Sequence, residues 1–139
     1  MPTLTRLYVK TSLLYLAAAL ALALVLALAQ TTKLPALLAA AGPTYFHLFL
    51  VGWATQLIMG IVFWMFPKWS KDRPRGNERL AAVVYGLLNV GLLLRVVSEP
   101  ARAVSPAVLW GWLLALSALL QWLAGVGFVA NTWGRVKER

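Results

Sequence analysis

The stretch Tyr45–Phe66, YFHLFLVGWATQLIMGIVFWMF, is the clearest indication of the fold. Its 22 residues contain no Asp, Glu, Lys or Arg. As an α-helix rising about 1.5 Å per residue, they extend about 33 Å, which is enough to cross the roughly 30 Å of hydrocarbon in a bilayer. We therefore predict a transmembrane helix here, with the only histidine of the chain, His47, near its first turn.

Three further apolar runs, one before this stretch and two after it, are also long enough to span a bilayer. Prolines, glycines or charged residues separate the runs, and the pair Glu99-Pro100 is expected to end the third. The predicted fold class is an all-α membrane protein, a four-transmembrane-helix bundle in one domain, residues 1–139. The predicted helices cover about 11–29, 45–66, 80–97 and 107–132.

The composition excludes several classes of protein. Hydrophobic residues make up 61% of the chain and charged residues 12%, about half the charged fraction of a soluble domain. Because there is no cysteine, disulfides, zinc-thiolate sites, iron–sulfur clusters and c-type heme attachment are excluded. The basic residues behind the net charge of +9 lie between the apolar runs. They therefore indicate how the chain is oriented in the membrane, and we expect no nucleic-acid partner.

Basic residues near the helix ends predict the orientation in the membrane. Ten of them fall on one side of the predicted bundle, and only Lys33 and Arg102 fall on the other. Since basic loops stay in the cytoplasm, both termini are predicted to be cytoplasmic (N-in, C-in), in a bacterial-type cytoplasmic (inner) membrane. The ten are Arg6, Lys10, Lys68, Lys71, Arg73, Arg75, Arg79, Arg135, Lys137 and Arg139.

Three amides lie near the middle of the predicted helices: Gln56, Asn89 and Gln121. Lipid offers them no hydrogen-bond partner, so we expect each to bond to a neighbouring helix.

Arg95 lies inside the third apolar run, where a charged side chain needs a partner. Glu99, four residues later on the same helix, is one candidate partner. The other is an anionic ligand, either a lipid headgroup or a cofactor carboxylate. The predicted topology places Arg95 and His47 near the same outer end of the bundle. A histidine for a metal and an arginine for carboxylates suit a heme with its propionates toward the surface; the alternative is an interfacial histidine bonded to water or backbone.

From His47 onward, the second run reads HLFLVGWATQLIMGIVFWMFPKW, and the third run ends LLLRVVSEP. This pattern resembles the first helices of the heme–copper oxidase catalytic-subunit superfamily. It looks most similar to the cbb3-type oxidase subunit I, with its small orphan relatives, and to NnrS-like proteins. The opening RLYVKTSLLYL is similar to the first helix of the cbb3-type branch. The resemblance covers roughly residues 5–100.

The resemblance implies that His47 is an axial ligand of a heme b iron. Arg95 as a propionate partner is inferred from its depth, and Phe46, Phe49 and Trp53 are candidates to wall a porphyrin, although such aromatics are commonly ordinary packing. An oxidase catalytic subunit uses six histidines on about a dozen helices, whereas this chain has one histidine and four predicted helices. With no nucleophile–base set either, we expect no enzyme activity, and no oxygen- or nitric-oxide-reducing centre.

A second axial ligand is missing within one chain. Met59 and Met65 lie about 18 and 27 Å beyond His47 along the same helix, too far to reach its iron. In a two-fold homodimer, two copies of His47 can hold one heme from opposite faces. The expected function is heme-based electron transfer, or heme storage and transfer. The alternatives are a cofactor-free assembly or accessory subunit, and a five-coordinate heme sensor of nitric oxide or oxygen.

Overall fold

The computed structural model describes residues 1–29, 31–71 and 74–136. It is 82% helical, with no strand among the described residues, and four of its helices are long and apolar enough to span a membrane. The all-α four-helix bundle is thereby confirmed. The helices are α1 (Thr3–Leu28), α2 (Gly42–Met65), α3 (Glu78–Val104) and α4 (Val108–Thr132), with one helical turn at Ala36–Ala39 and a 3-10 turn at Trp133–Arg135.

The four helices run up and down, so that Met1 and Arg135 lie at the same end of the bundle. At this end Met1 lines the same surface as Phe63 and Glu78, and Arg135 bonds to the carbonyl of Phe63. We call it the terminal end, and the opposite one the His47 end. Which end faces the cytoplasm stays a prediction. Of the ten basic residues on which this prediction rests, Arg73, Lys137 and Arg139 lie outside the described residues.

The prediction that the third helix ends near Val97 is wrong. Helix α3 continues to Val104 and includes Pro100. Proline lacks the N–H that would bond to the carbonyl four residues earlier, but the rest of the helical turn can continue past it. As a result, Glu99 lies on the same helix as Arg95, one turn further on.

The first helix starts earlier than predicted, at Thr3 instead of about residue 11. Its first two turns contain Arg6 and Lys10, which are good helix formers and whose long stems can lie along apolar surface while the charge stays in water. A hydropathy pattern marks the apolar span and misses such helical extensions. The start of α3 is set by Asn77, whose side chain accepts a hydrogen bond from the Leu80 amide at 3.0 Å.

Helix α2 contains a π-helical segment, Leu48–Thr55, directly after His47. The Gln56 amide bonds to the carbonyl of Val51, five residues back. A π-helix turns only about 80° per residue, against about 100° for an α-helix. No feature of the apolar pattern predicted this segment.

The π segment keeps one face of α2 inside the bundle. Buried positions recur every four residues along the helix. On an α-helix each such step drifts by about 40°, whereas in the π segment it turns back by about 40°. The buried face therefore runs nearly straight along α2 and brings both ends of the helix against α1. Its positions are Thr44, Leu48, Gly52, Gln56 and Gly60.

Helix α1 packs along α2, and α3 packs along α4. Hydrogen bonds from tyrosine and threonine side chains of α1 join the two pairs. The Tyr8 hydroxyl donates to the Ala81 carbonyl at 3.0 Å, and the Tyr15 hydroxyl donates to Asn89 Oδ1 at 2.9 Å. Between them, the Thr11 and Tyr85 hydroxyls lie 2.7 Å apart. These contacts join the two pairs over about two turns of α1, from Tyr8 to Tyr15.

The expectation for the three amides holds in part. Asn89 makes the interhelical bond to Tyr15. Gln56 is fully buried, and its Nε2 donates to the Tyr8 carbonyl at 3.5 Å, while its Oε1 has no partner among the described residues. The bond recorded for Gln121 stays within α4, where Nε2 donates to Ser117 Oγ at 3.2 Å.

Gly60→Ala is expected to destabilise the protein by about 1–3 kcal/mol, because a Cβ at Gly60 would lie 2.6 Å from Cβ of Tyr8 on α1. The matched control is Gly86→Ala, since a Cβ at Gly86 meets no atom within 4 Å. There alanine is expected to stabilise α3 by about 0.5–1 kcal/mol. Thermal unfolding of the two variants in detergent measures the difference. Equal melting temperatures would contradict the close approach of α1 and α2.

Candidate functional site

His47 lies at the end of the first turns of α2, and both nitrogens of its ring contact other polar groups. Nδ1 is 2.9 Å from the carbonyl oxygen of Pro43 and 3.1 Å from Glu99 Oε1. Nε2 is 3.2 Å from Arg95 Nη1. Because a guanidinium only donates, Nε2 must accept this bond, and Nδ1 then carries the proton that it donates to the Pro43 carbonyl, with the Glu99 carboxylate 3.1 Å away. The arrangement selects the neutral Nδ1–H tautomer of His47.

Arg95 connects three helices at the His47 end. Besides the bond to His47 on α2, its Nη1 is 3.4 Å from Glu99 Oε1 on α3. Its Nε donates to Ser117 Oγ on α4 at 3.2 Å. The predicted pairing with Glu99 is confirmed, and so is the prediction that Arg95 and His47 lie at one depth. The anionic ligand considered as the other partner stays a prediction.

Glu99 receives bonds from two sides. Its Oε1 contacts both His47 and Arg95, and its Oε2 accepts from the Thr44 hydroxyl at 3.3 Å. The side chains of Arg95 and Glu99 are 18% and 10% exposed. Charged side chains inside a membrane need a partner of opposite charge, and Arg95 and Glu99 provide this partner for each other. We call this set of five residues the His47 network: Thr44, His47, Arg95, Glu99 and Ser117.

Ser117 holds the network to the backbone. Its hydroxyl donates to the Gly91 carbonyl at 2.6 Å and accepts from Arg95. The two helices meet closely here, because a Cβ at Gly91 would lie 3.1 Å from the Ser117 carbonyl oxygen. Sequence reasoning missed Ser117 and Thr44 as members of the site. Small hydroxyl residues are common in transmembrane helices, so neither position carries a distinctive signal.

The aromatic candidates do not surround one common site. Phe46 is 55% exposed and meets the His47 ring edge-on, with centroids 5.9 Å apart. Phe49 packs instead against Trp53, at 4.8 Å, and against Tyr45, at 6.1 Å. The row Tyr45, Phe49 and Trp53 is thus a set of mutual contacts along α2, in agreement with ordinary packing. A porphyrin at His47 would lie at the lipid-facing surface beside Phe46.

The two α2 methionines considered as ligands lie away from this end. Met59 is buried in a core cluster with Tyr8 and Val84, and Met65 is 67% exposed at the other end of α2. Within residues 1–29, 31–71 and 74–136, no three His, Cys, Asp or Glu side chains form a group able to hold a bare metal ion. A heme makes a smaller demand on the protein, because the porphyrin supplies four ligands and the protein one or two.

No protein-family model matches the chain, and no curated protein or solved structure matches it significantly. The resemblance to the heme–copper oxidase superfamily therefore stays a prediction from the motifs of the sequence.

Proposed function

We propose that this membrane protein binds a heme b through Nε2 of His47, and that it serves in electron transfer or in heme storage and transfer. The observation that supports the proposal most is the environment of Nδ1. Metal-ligating histidines almost always donate this second ring N–H to a carbonyl or carboxylate, which fixes the tautomer and raises the basicity of the ligating nitrogen. Nδ1 of His47 bonds to the carbonyl of Pro43, and the carboxylate of Glu99 lies 3.1 Å from it.

The donor set of the site fits a heme. The lone pair of Nε2 accepts a hydrogen bond from the guanidinium of Arg95. Iron would bind to this same lone pair. With iron on Nε2, Arg95 would give up this one bond and keep its bonds to Ser117 and Glu99. It would then present a guanidinium to the propionates, at the same depth as the ligand. The heme itself would supply one-electron transfer.

The second axial ligand is proposed to come from a second copy of the chain. The ring of His47 is 23% exposed and lies beside the exposed Phe46, at the surface of the bundle. In a two-fold dimer formed by this end of α2, two His47 rings would face one heme. One bis-histidine heme for two chains would follow, which suits electron transfer or heme storage.

A cofactor-free accessory or assembly subunit is the second candidate, and one observation favours it. The His47 network is complete in itself, since both ring nitrogens of His47 and both oxygens of Glu99 have partners in the chain. Such a network would fix the packing of α2, α3 and α4 for contact with other subunits.

The heme content of the purified protein separates the candidates. We expect protein from heme-replete cells to show a Soret band, a low-spin reduced spectrum and about one heme for two chains, measured as pyridine hemochrome against quantitative amino-acid analysis. One high-spin heme per chain would contradict the shared heme and favour the five-coordinate sensor. A colourless preparation would contradict heme binding and favour the accessory subunit.

A further inference from the structure

A cavity of about 630 Å³ opens at the terminal end, on the far side of the bundle from His47. It lies where α2 ends and where the loop to α3 meets the end of α4. Aromatic side chains and basic side chains line it. The residues that matter here are Trp64, Phe66, Lys68, Lys71, Arg75 and Arg135.

Arg135 forms a fixed part of the cavity wall. It is fully buried, and its guanidinium donates to the carbonyls of Phe63 at 3.1 Å, Phe66 at 2.8 Å and Pro67 at 3.0 Å. These carbonyls belong to the last turn of α2 and the residues after it, where no helical amide is left to bond them. Arg135 thereby joins α4 to the end of α2 and holds a positive charge in place there.

The electrostatics of the cavity favour an anion. Lys68 and Lys71 line it and are exposed, and Arg75 lines it while bonding to Glu78 at 2.7 Å. No carboxylate lines the cavity among the residues that the structure describes. Three basic side chains besides Arg135 thus share one concave surface, whose combined field attracts negative charge.

The apolar part of the lining indicates which kind of anion. Trp64 is 46% exposed on the last turn of α2, and its neighbour Met65 is 67% exposed, so this side of the helix faces lipid. The basic residues follow immediately beyond the helix end. The cavity therefore crosses the boundary between acyl chains and headgroups, with an aromatic wall on one side and cations on the other. A free phosphate ion would use only the cations, whereas a phospholipid would use both.

We propose that this cavity is a binding site for an anionic phospholipid, with the phosphate among Lys68, Lys71 and Arg75 and an acyl chain along Trp64. The bound lipid would join the loop after α2 to the end of α4, and so stabilise the terminal end. The site is independent of heme binding, because its residues belong to the opposite end of the bundle from the His47 network.

The test measures lipid binding to the delipidated full chain in detergent, by native mass spectrometry and by the melting temperature. The probes are dioleoylphosphatidylglycerol and, as its zwitterionic counterpart, dioleoylphosphatidylcholine. The variant is Lys68→Gln with Lys71→Gln. Its matched control is Lys10→Gln with Arg79→Gln, which removes the same charge from exposed residues that are predicted to lie on the same membrane side and do not line the cavity.

Phosphatidylglycerol is expected to bind the wild type and the control equally and to raise their melting temperatures, and to bind the cavity variant about tenfold more weakly. Without lipid, all three proteins should melt alike. Equal weakening in the control would overturn the proposal, because general surface charge would then explain binding. Equal binding of phosphatidylcholine would overturn it as well. Full competition by inorganic phosphate or glycerol phosphate at similar concentration would assign the cavity to a free phosphate ion instead.

Discussion

His47→Ala is expected to abolish the Soret band of the purified protein completely. The chain has no other histidine and no cysteine. Met59 is buried in the core, and Met65 lies at the other end of α2. No second histidine, cysteine or α2 methionine is therefore in place to replace the lost imidazole. Absorbance spectra and hemochrome assays of protein purified from heme-replete cells measure the loss, with size-exclusion chromatography to verify folding.

His47→Gln is the matched variant. A glutamine oxygen can accept the bond from Arg95 Nη1 that Nε2 accepts in the wild type. The variant therefore preserves much of the polar network while it removes the proposed iron ligand. We expect His47→Gln to be as colourless as His47→Ala but to melt closer to the wild type. Heme retained in both variants, at the wild-type ratio, would show that His47 is not the ligand.

Arg95→Leu is expected to have the largest effect on stability, about 3–5 kcal/mol, because it leaves Glu99 with an unpaired charge in a largely buried position. The bonds to His47 and Ser117 are lost at the same time. If Arg95 also pairs with propionates, heme occupancy should fall while the protein still inserts in the membrane. Thermal unfolding in detergent and the hemochrome assay measure the two effects separately.

The control is the double variant Arg95→Leu with Glu99→Gln. Removing both charges leaves no unpaired ion, so about half of the lost stability should return, and the difference from the two single variants gives the coupling energy. A melting temperature of Arg95→Leu equal to that of the wild type would contradict the buried ion pair. Unchanged heme occupancy in that variant would leave Glu99, His47 and Ser117 as the only partners of Arg95.

The shared depth of His47 and Arg95 was predictable from the sequence. Counting residues along apolar runs placed His47 and Arg95 at one end, and the structure brings their side chains to 3.2 Å. The spacing of four residues likewise predicted the contact between Arg95 and Glu99. What failed was the end of the third helix, because Pro100 was interpreted as a boundary and stands inside α3. A proline removes one hydrogen bond, and this loss alone does not tell where a helix ends.

The four membrane-spanning helices follow from the amino-acid sequence, because lipid offers no partner to backbone N–H and C=O groups and each apolar run must satisfy its own. Which polar side chains meet depends on how the four helices pack together. These contacts depend on the direction in which each side chain points around its helix axis. The π segment Leu48–Thr55 changes that direction along α2, and the apolar pattern of the sequence does not show it. Thr44 and Ser117 thus join His47 through packing across three helices, which residue spacing within one helix does not encode.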